Sequence, residues 1–156
     1  GKKIAVADEE EVKRNWEKLK MKEGKESVLE GVPRSLPSMV KAQRIQEKAR
    51  GAGFDWEKPE QVWEKVEEEV NEFQEAVSRK DQKEMSDELG DVFFALINYA
   101  RFHNLNPDEA LERTNRKFIS RFRYMEEKVK ESGKTLHELS LAQMDVFWNQ
   151  AKTTEI

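Results

Sequence analysis

The sequence predicts an all-α protein, a four-helix-bundle-like body with short accessory helices. Two observations carry that expectation. Apolar residues recur at spacings of three and four along several long segments. Glycine, proline and asparagine fall between those segments, and alternating strand patterns, Gly-rich phosphate loops and internal repeats are missing from the sequence.

The first pattern, Asp8 to Glu23, places Val12, Trp16 and Leu19 on one face and reads as a short charged accessory helix. Gly24 to Pro33 reads as a linker, so residues 1–31 are expected to be linker and accessory helix and 32–156 the domain proper. Ser35 to Arg50 is the next helix, with Ser35 as its cap and Pro37 in its first turn. Gly51 and Gly53 end it, and Gly53-Phe54-Asp55-Trp56 crosses to the next helix, with Phe54 and Trp56 as packing anchors. Pro59 to Arg79 carries a stripe of Trp63, Val66, Val70, Phe73 and Val77, with Lys65, Glu68, Glu69 and Glu72 away from its centre.

After Lys80, Asp81 and Glu84 have the spacing of a capping box for Gln82 to Phe102. From Val92 to Ala100 that helix reads VFFALINYA, apolar almost all round, which calls for neighbours on most sides and points to a second subunit. Gly90 has the place of a close-approach residue beside the acids. Asn106 and Pro107 open a helix to about Glu131, with an apolar stripe through Leu111, Phe118, Phe122, Met125 and Val129. Its other stripe is basic: Arg113, Lys117 and Arg121. Thr135 and Glu138 suit a short turn, and Leu141 to Ala151 forms the last helix.

Composition narrows the function. The 156 residues suffice for one domain with a core, and 37% hydrophobic content at regular spacing argues against disorder despite 38% charged residues. A net charge of -4 argues against binding a nucleic acid polymer. Without cysteine there is neither a disulfide framework nor a thiolate metal site. No apolar run is long enough to span a bilayer and no signal peptide is recognisable, so the expected compartment is the cytoplasm, with no membrane partner.

The chemistry concentrates between Lys65 and Asp91. Glu68, Glu69 and Glu72 share one helix and Glu88 and Asp91 the next, at spacings that gather carboxylates on one face. Like charges so placed require a compensating cation. An all-oxygen set suits Mg²⁺, with Mn²⁺ as the alternative, rather than zinc. A di-iron bundle centre needs Glu-x-x-His pairs, and neither His103 nor His137 has a glutamate three residues earlier. The basic stripe supplies the complementary half of a metal–phosphate site. The competing reading, a solvated and salt-bridged acidic face, stays open on spacing alone.

Longer stretches resemble the MazG family of nucleoside triphosphate pyrophosphohydrolases, in the all-α NTP pyrophosphatase superfamily. They are Val32-Pro33-Arg34-Ser35-Leu36-Pro37, Gly53-Phe54-Asp55-Trp56, Lys65-Val66-Glu67-Glu68-Glu69-Val70-Asn71-Glu72, Glu88-Leu89-Gly90-Asp91, Asn115-Arg116-Lys117-Phe118 and Arg121-Phe122. The joint pattern EExxE, fifteen residues, then ExxD is the specific part. The resemblance implies a MazG fold assembled as a homodimer, corresponding to the second, catalytic module of tandem members. It implies Mg²⁺-dependent cleavage of an NTP or dNTP between the α- and β-phosphates, giving NMP and pyrophosphate. By the same resemblance Glu68, Glu69, Glu72, Glu88 and Asp91 are metal ligands, and Glu69 or Glu72, with Glu88, activates water. Lys65, Lys117 and Arg121 would contact the triphosphate, Trp148 would lie near the nucleotide, and Asn115 would bond substrate or pack between helices. Two rival functions remain at this level: a narrower dUTP, dCTP or modified-nucleotide house-cleaning hydrolase, and a non-catalytic nucleotide-sensing or protein-binding module.

Overall fold

The computed structural model describes residues 9–16, 18 and 26–155. Leu19 and Gly24, used above for the first helix and the linker, lie outside the described residues. The described chain is all-α: residues 9–16 are helical, followed by α1 (Ser38–Gly51), α2 (Pro59–Arg79), α3 (Gln82–Phe102), α4 (Pro107–Glu131), a 3₁₀ turn (Leu136–Glu138) and α5 (Leu141–Thr154). It divides into two compact units, residues 1–107 and 108–156. No helix among the described residues is long and apolar enough to cross a membrane.

Helix α1 starts later than its sequence suggests. Pro37, at φ -54° and ψ 145°, is extended and serves as the N-cap, and Lys41 N–H donates to its carbonyl at 2.8 Å. Ser35 makes no cap. A proline disfavours helical backbone in the residue before it, so Leu36 and Ser35 stay in a turn closed by Leu36 N–H and Pro33 O at 3.4 Å. At the other end Gly53 takes φ +95°, which lets Phe54 N–H reach back to Ala49 O at 2.9 Å.

The crossing to α2 is held by charge rather than by its aromatics. Phe54 is 83% exposed, so it is not the packing anchor its size suggested. Asp55 instead grips Arg101 of α3 with both oxygens, at 2.7 and 3.2 Å. Arg101 also donates to Asn98 Oδ1 at 2.7 Å, which ties Asn98 to this crossing and not to the acidic cluster.

Helices α2 and α3 are joined only by Lys80 and Asp81. So short a link makes antiparallel neighbours. Lys80 adopts the left-handed conformation that ends α2. Asp81 accepts from Glu84 N–H at 3.1 Å, but the return half of the expected box is absent because Glu84 turns to Arg79 at 2.7 Å. The buried seam runs through Val62, Val66 and Ala76 of α2 and Val92, Ala95 and Ile97 of α3. Relative to the expected stripe, α2 is rotated by about one residue: Trp63 lies at the margin, 5.1 Å from the Tyr99 ring, and Val77 is exposed. From α1, Gln46 is buried and donates to the Phe94 carbonyl at 2.9 Å.

Among the described residues of the first unit, the apolar run of α3 is covered on one side only. Val92, Ala95 and Ile97 face the seam, while Phe93, Phe94 and Leu96 are exposed. Gly90 has no atom within 4 Å of where a Cβ would stand, so close approach within this chain does not require glycine there. In the second unit Met125 and Val129 of α4 and Ala151 of α5 are buried, whereas residues 108–120 are exposed throughout. Helix α5 opens on Ser140, which accepts from Gln143 N–H at 3.2 Å while Gln143 Oε1 receives Ser140 N–H at 2.9 Å.

Two substitutions test this packing. Val62 is fully buried, so Val62→Ala should lower unfolding free energy by about 2 kcal/mol in urea titration. Gly90→Ala should raise it by about 0.5–1 kcal/mol through helix propensity. A loss at Gly90 would show that another chain or a ligand fills the space beside it.

Candidate metal and phosphate site

The rotation of α2 has a chemical consequence. Glu69 follows Val62 by seven residues and Val66 by three, so it shares the buried seam instead of lying off it as the Trp63-centred stripe implied. It is 6% exposed. On α3, Glu88 is half-buried and Asp91, one turn on, is exposed. One carboxylate oxygen from each of Glu69, Glu88 and Asp91 lies within 4.8 Å of the others. Glu72, one turn beyond Glu69, lies close enough to Glu88 and Glu69 for both to raise its pKa. The antiparallel hairpin thus brings together four of the five carboxylates named from sequence.

Glu68 is placed differently. Its side chain is 55% exposed and stands 3.4 Å from Lys65, outside the three-residue cluster. Lys65 also reaches Glu69 Oε1 at 3.0 Å, and that bond, as its largest cause, holds the ammonium above its ordinary pKa. Lys65 therefore neutralises part of the cluster from within α2.

Two atoms show what one lysine leaves undone. Glu69 Oε2 and Glu88 Oε2 are buried without a hydrogen-bond partner. A buried carboxylate oxygen left unpaired costs about 1–3 kcal/mol or more. A divalent cation would satisfy both. Mg²⁺ is a hard cation that takes oxygen ligands, and this cluster offers carboxylate oxygens within 4.8 Å of one another. The donor set therefore fits Mg²⁺.

Without a cation, a proton does part of the same work. Glu72 is raised from the ordinary 4.5 to about 7, first by Glu88 beside it and then by the charge of Glu69.

The remaining residues named from sequence belong to the second unit. Lys117 and Arg121 are one turn apart on α4; Lys117 is exposed and Arg121 half-buried. The Arg121 guanidinium pairs with Glu155 and lies 5.9 Å from the Trp148 ring. Trp148 packs against Phe118, with ring centroids 5.1 Å apart, and Phe118 stacks on Phe122 at 5.9 Å. Asn115 is exposed on the same helix. Sequence reasoning missed the Glu155 partner, for which a carboxylate beyond the last helix offers no periodic signal.

The sign of the Glu72 shift sets a pH dependence. The folded protein binds the extra proton more tightly than the unfolded chain. The associated stability is fully present below pH 4.5 and lost as pH rises through about 7. Metal-free protein should therefore melt at lower temperature as pH goes from 5 to 8, with a flatter profile in Glu72→Gln. Identical slopes in thermal melts under chelator would refute the raised proton affinity of Glu72.

Residues 57–125 match the MazG nucleotide pyrophosphohydrolase domain, a span that includes all five carboxylates, Lys65, Lys117 and Arg121. The nucleoside triphosphate pyrophosphohydrolase/pyrophosphatase MazG of Thermotoga maritima is 41% identical over 142 residues, covering 89% of this chain and 54% of the relative. The nucleoside triphosphate pyrophosphohydrolase of Escherichia coli K12 is 36% identical over 152 residues, covering 94% and 58%. The uncharacterized protein YabN of Bacillus subtilis is 46% identical over 158 positions, covering 99% of this chain and 32% of its own. The chain spans somewhat more than half the length of the two pyrophosphohydrolases. Residues 57–125 thus match the MazG nucleotide pyrophosphohydrolase domain, and most of the chain aligns with two proteins named as nucleoside triphosphate pyrophosphohydrolases.

Proposed function

We propose that this chain is a Mg²⁺-dependent nucleoside triphosphate pyrophosphohydrolase, which converts an NTP or dNTP to NMP and pyrophosphate. The observation that carries the proposal is the convergence of Glu69, Glu88 and Asp91 around two buried oxygens that lack partners. Glu69, Glu72, Glu88 and Asp91 hold the ion, with Glu68 at the margin. A bound Mg²⁺ would supply positive charge to offset that on the phosphate oxygens and the leaving pyrophosphate. Glu69 or Glu72, with Glu88 beside them, orients a water for in-line attack on the α-phosphorus and accepts its proton. The bond between the α-phosphorus and the α,β-bridging oxygen breaks, and pyrophosphate departs with that oxygen. Lys117 and Arg121 receive triphosphate oxygens, as does Lys65 once its carboxylate partners turn to the ion. Asn115 and Trp148 serve the sugar or base side.

The assembly belongs to the same proposal. Phe93, Phe94, Leu96 and Phe118 are exposed, more large apolar side chains than an isolated chain keeps in water. A homodimer that covers them, in the four-helix-bundle-like arrangement of the family, accounts for the apolar run of α3. Residues 32–156 then act as the hydrolase domain, in the cytoplasm, without a nucleic acid polymer as partner.

Product analysis over an NTP and dNTP panel with Mg²⁺ tests the reaction: pyrophosphate is expected, and orthophosphate alone would overturn it. The ratio of kcat/KM values across the panel reads base preference. Glu69→Gln and Asp91→Asn should each lower kcat by about 10²-fold or more while circular dichroism keeps its helical signal. Lys117→Ala should weaken nucleotide binding by about threefold to tenfold and leave Mg²⁺ affinity unchanged in calorimetry. Unchanged nucleotide affinity would remove Lys117 from the site.

A further inference from the structure

In the second unit the guanidinium assigned to the triphosphate is already engaged. Arg121 Nε lies 2.5 Å from Glu155 Oε1 and its Nη2 lies 3.0 Å from Glu155 Oε2, a two-pronged grip. Arg121 is held above its ordinary pKa by that contact, and Glu155 below the ordinary carboxylate value. Arg121 is the largest influence on Glu155, and the charges of Lys117 and Lys152 act in the same direction. Glu155 therefore stands in the field of three cations, two of which the proposed reaction uses.

The form of the contact matters as much as its charge. A carboxylate presents two oxygens to a guanidinium fork in the way a phosphate group presents two of its own. Glu155 takes the Nε–Nη2 fork, so a phosphate group that binds through that fork must displace it. Glu155 follows the last residue of α5, in extended backbone at φ -72° and ψ 134°. It can leave the guanidinium by turning its side chain, without disturbing a helical hydrogen bond. Its side chain is 33% exposed, so release returns a carboxylate already partly in water.

We propose that Glu155 is a built-in competitor for the triphosphate: it occupies Arg121 in the empty protein and is displaced when phosphate binds. This inference rests on the reading of Arg121 as a phosphate contact. Its consequence is a residue that weakens substrate affinity without touching substrate. It also keeps the basic cluster from holding stray anions, since a weakly bound anion must first displace a neighbouring carboxylate.

Calorimetry with inorganic tripolyphosphate and metal-free protein isolates this step from the acidic cluster. Glu155→Gln should bind tripolyphosphate about threefold to fivefold more tightly than the parent, the gain expected from losing one exposed ion pair. Glu155→Asp, which keeps the charge, should not reproduce that gain. In an Arg121→Ala background the effect of Glu155→Gln should vanish. If Arg121→Ala weakens binding but Glu155→Gln leaves it unchanged or weaker, Glu155 orients Arg121 and the competitor role is overturned alone. If Arg121→Ala has no effect on binding, the phosphate reading of Arg121 falls and the competitor role falls with it.

Discussion

The structure turns on a single electrostatic constraint: carboxylates forced together where α2 meets α3. A two-residue link leaves the two helices no choice but to lie side by side, and the apolar seam then sets their rotation. Glu69 is carried into that seam between Val66 and Ala76. A charge there is costly in an apolar setting, and the protein meets the cost partly with Lys65 and partly with the raised proton affinity of Glu72. Two oxygens remain unserved. Hydrophobic packing thus builds an electrostatic strain that a hard cation would relieve, and under the proposed function fold stability and metal affinity are linked through the same few atoms.

The second unit presents the opposite sign with the same logic. Arg121, Lys117 and Lys152 gather positive charge near the end of the last helix, and Glu155 balances it. In the first unit like charges wait for a cation; in the second a cationic cluster carries its own anion. The first cluster is only partly compensated, by Lys65, and the second is paired through Glu155; under the proposed function a ligand at either one exchanges partners. Exchange lowers the net affinity for any anion or cation that offers fewer contacts than the complete ligand does.

Where sequence reasoning went astray, the cause was geometric. The spacing of three and four picks out Trp63, Val66, Val70, Phe73 and Val77 on α2, yet Val62, Val66 and Ala76 are the buried apolar residues there. Spacing alone does not fix helix rotation, since a tryptophan at the margin can lie along a neighbour such as Tyr99 with much of its ring in water. The same one-residue offset hid the distinction between Glu68 and Glu69. Phe54 misled in a similar way, for the crossing it sits in is fixed by Asp55 and Arg101. Gly90 suggested a close contact that this chain does not itself supply.

By itself the sequence determined the helical class, the limits of α2, α3 and α4 almost to the residue, and the identity of the acidic and basic groups. These follow from local periodicity, from proline and glycine, and from short-range capping, all of which act within a turn or two. Only the tertiary structure decided which carboxylates converge, which lysine they bind, and that Arg121 is held by Glu155 across thirty-four residues. Those outcomes depend on helix rotation and on side chains meeting from distant elements. No local pattern encodes a rotation of one residue, although that rotation separates a glutamate in water from one buried in the acidic cluster.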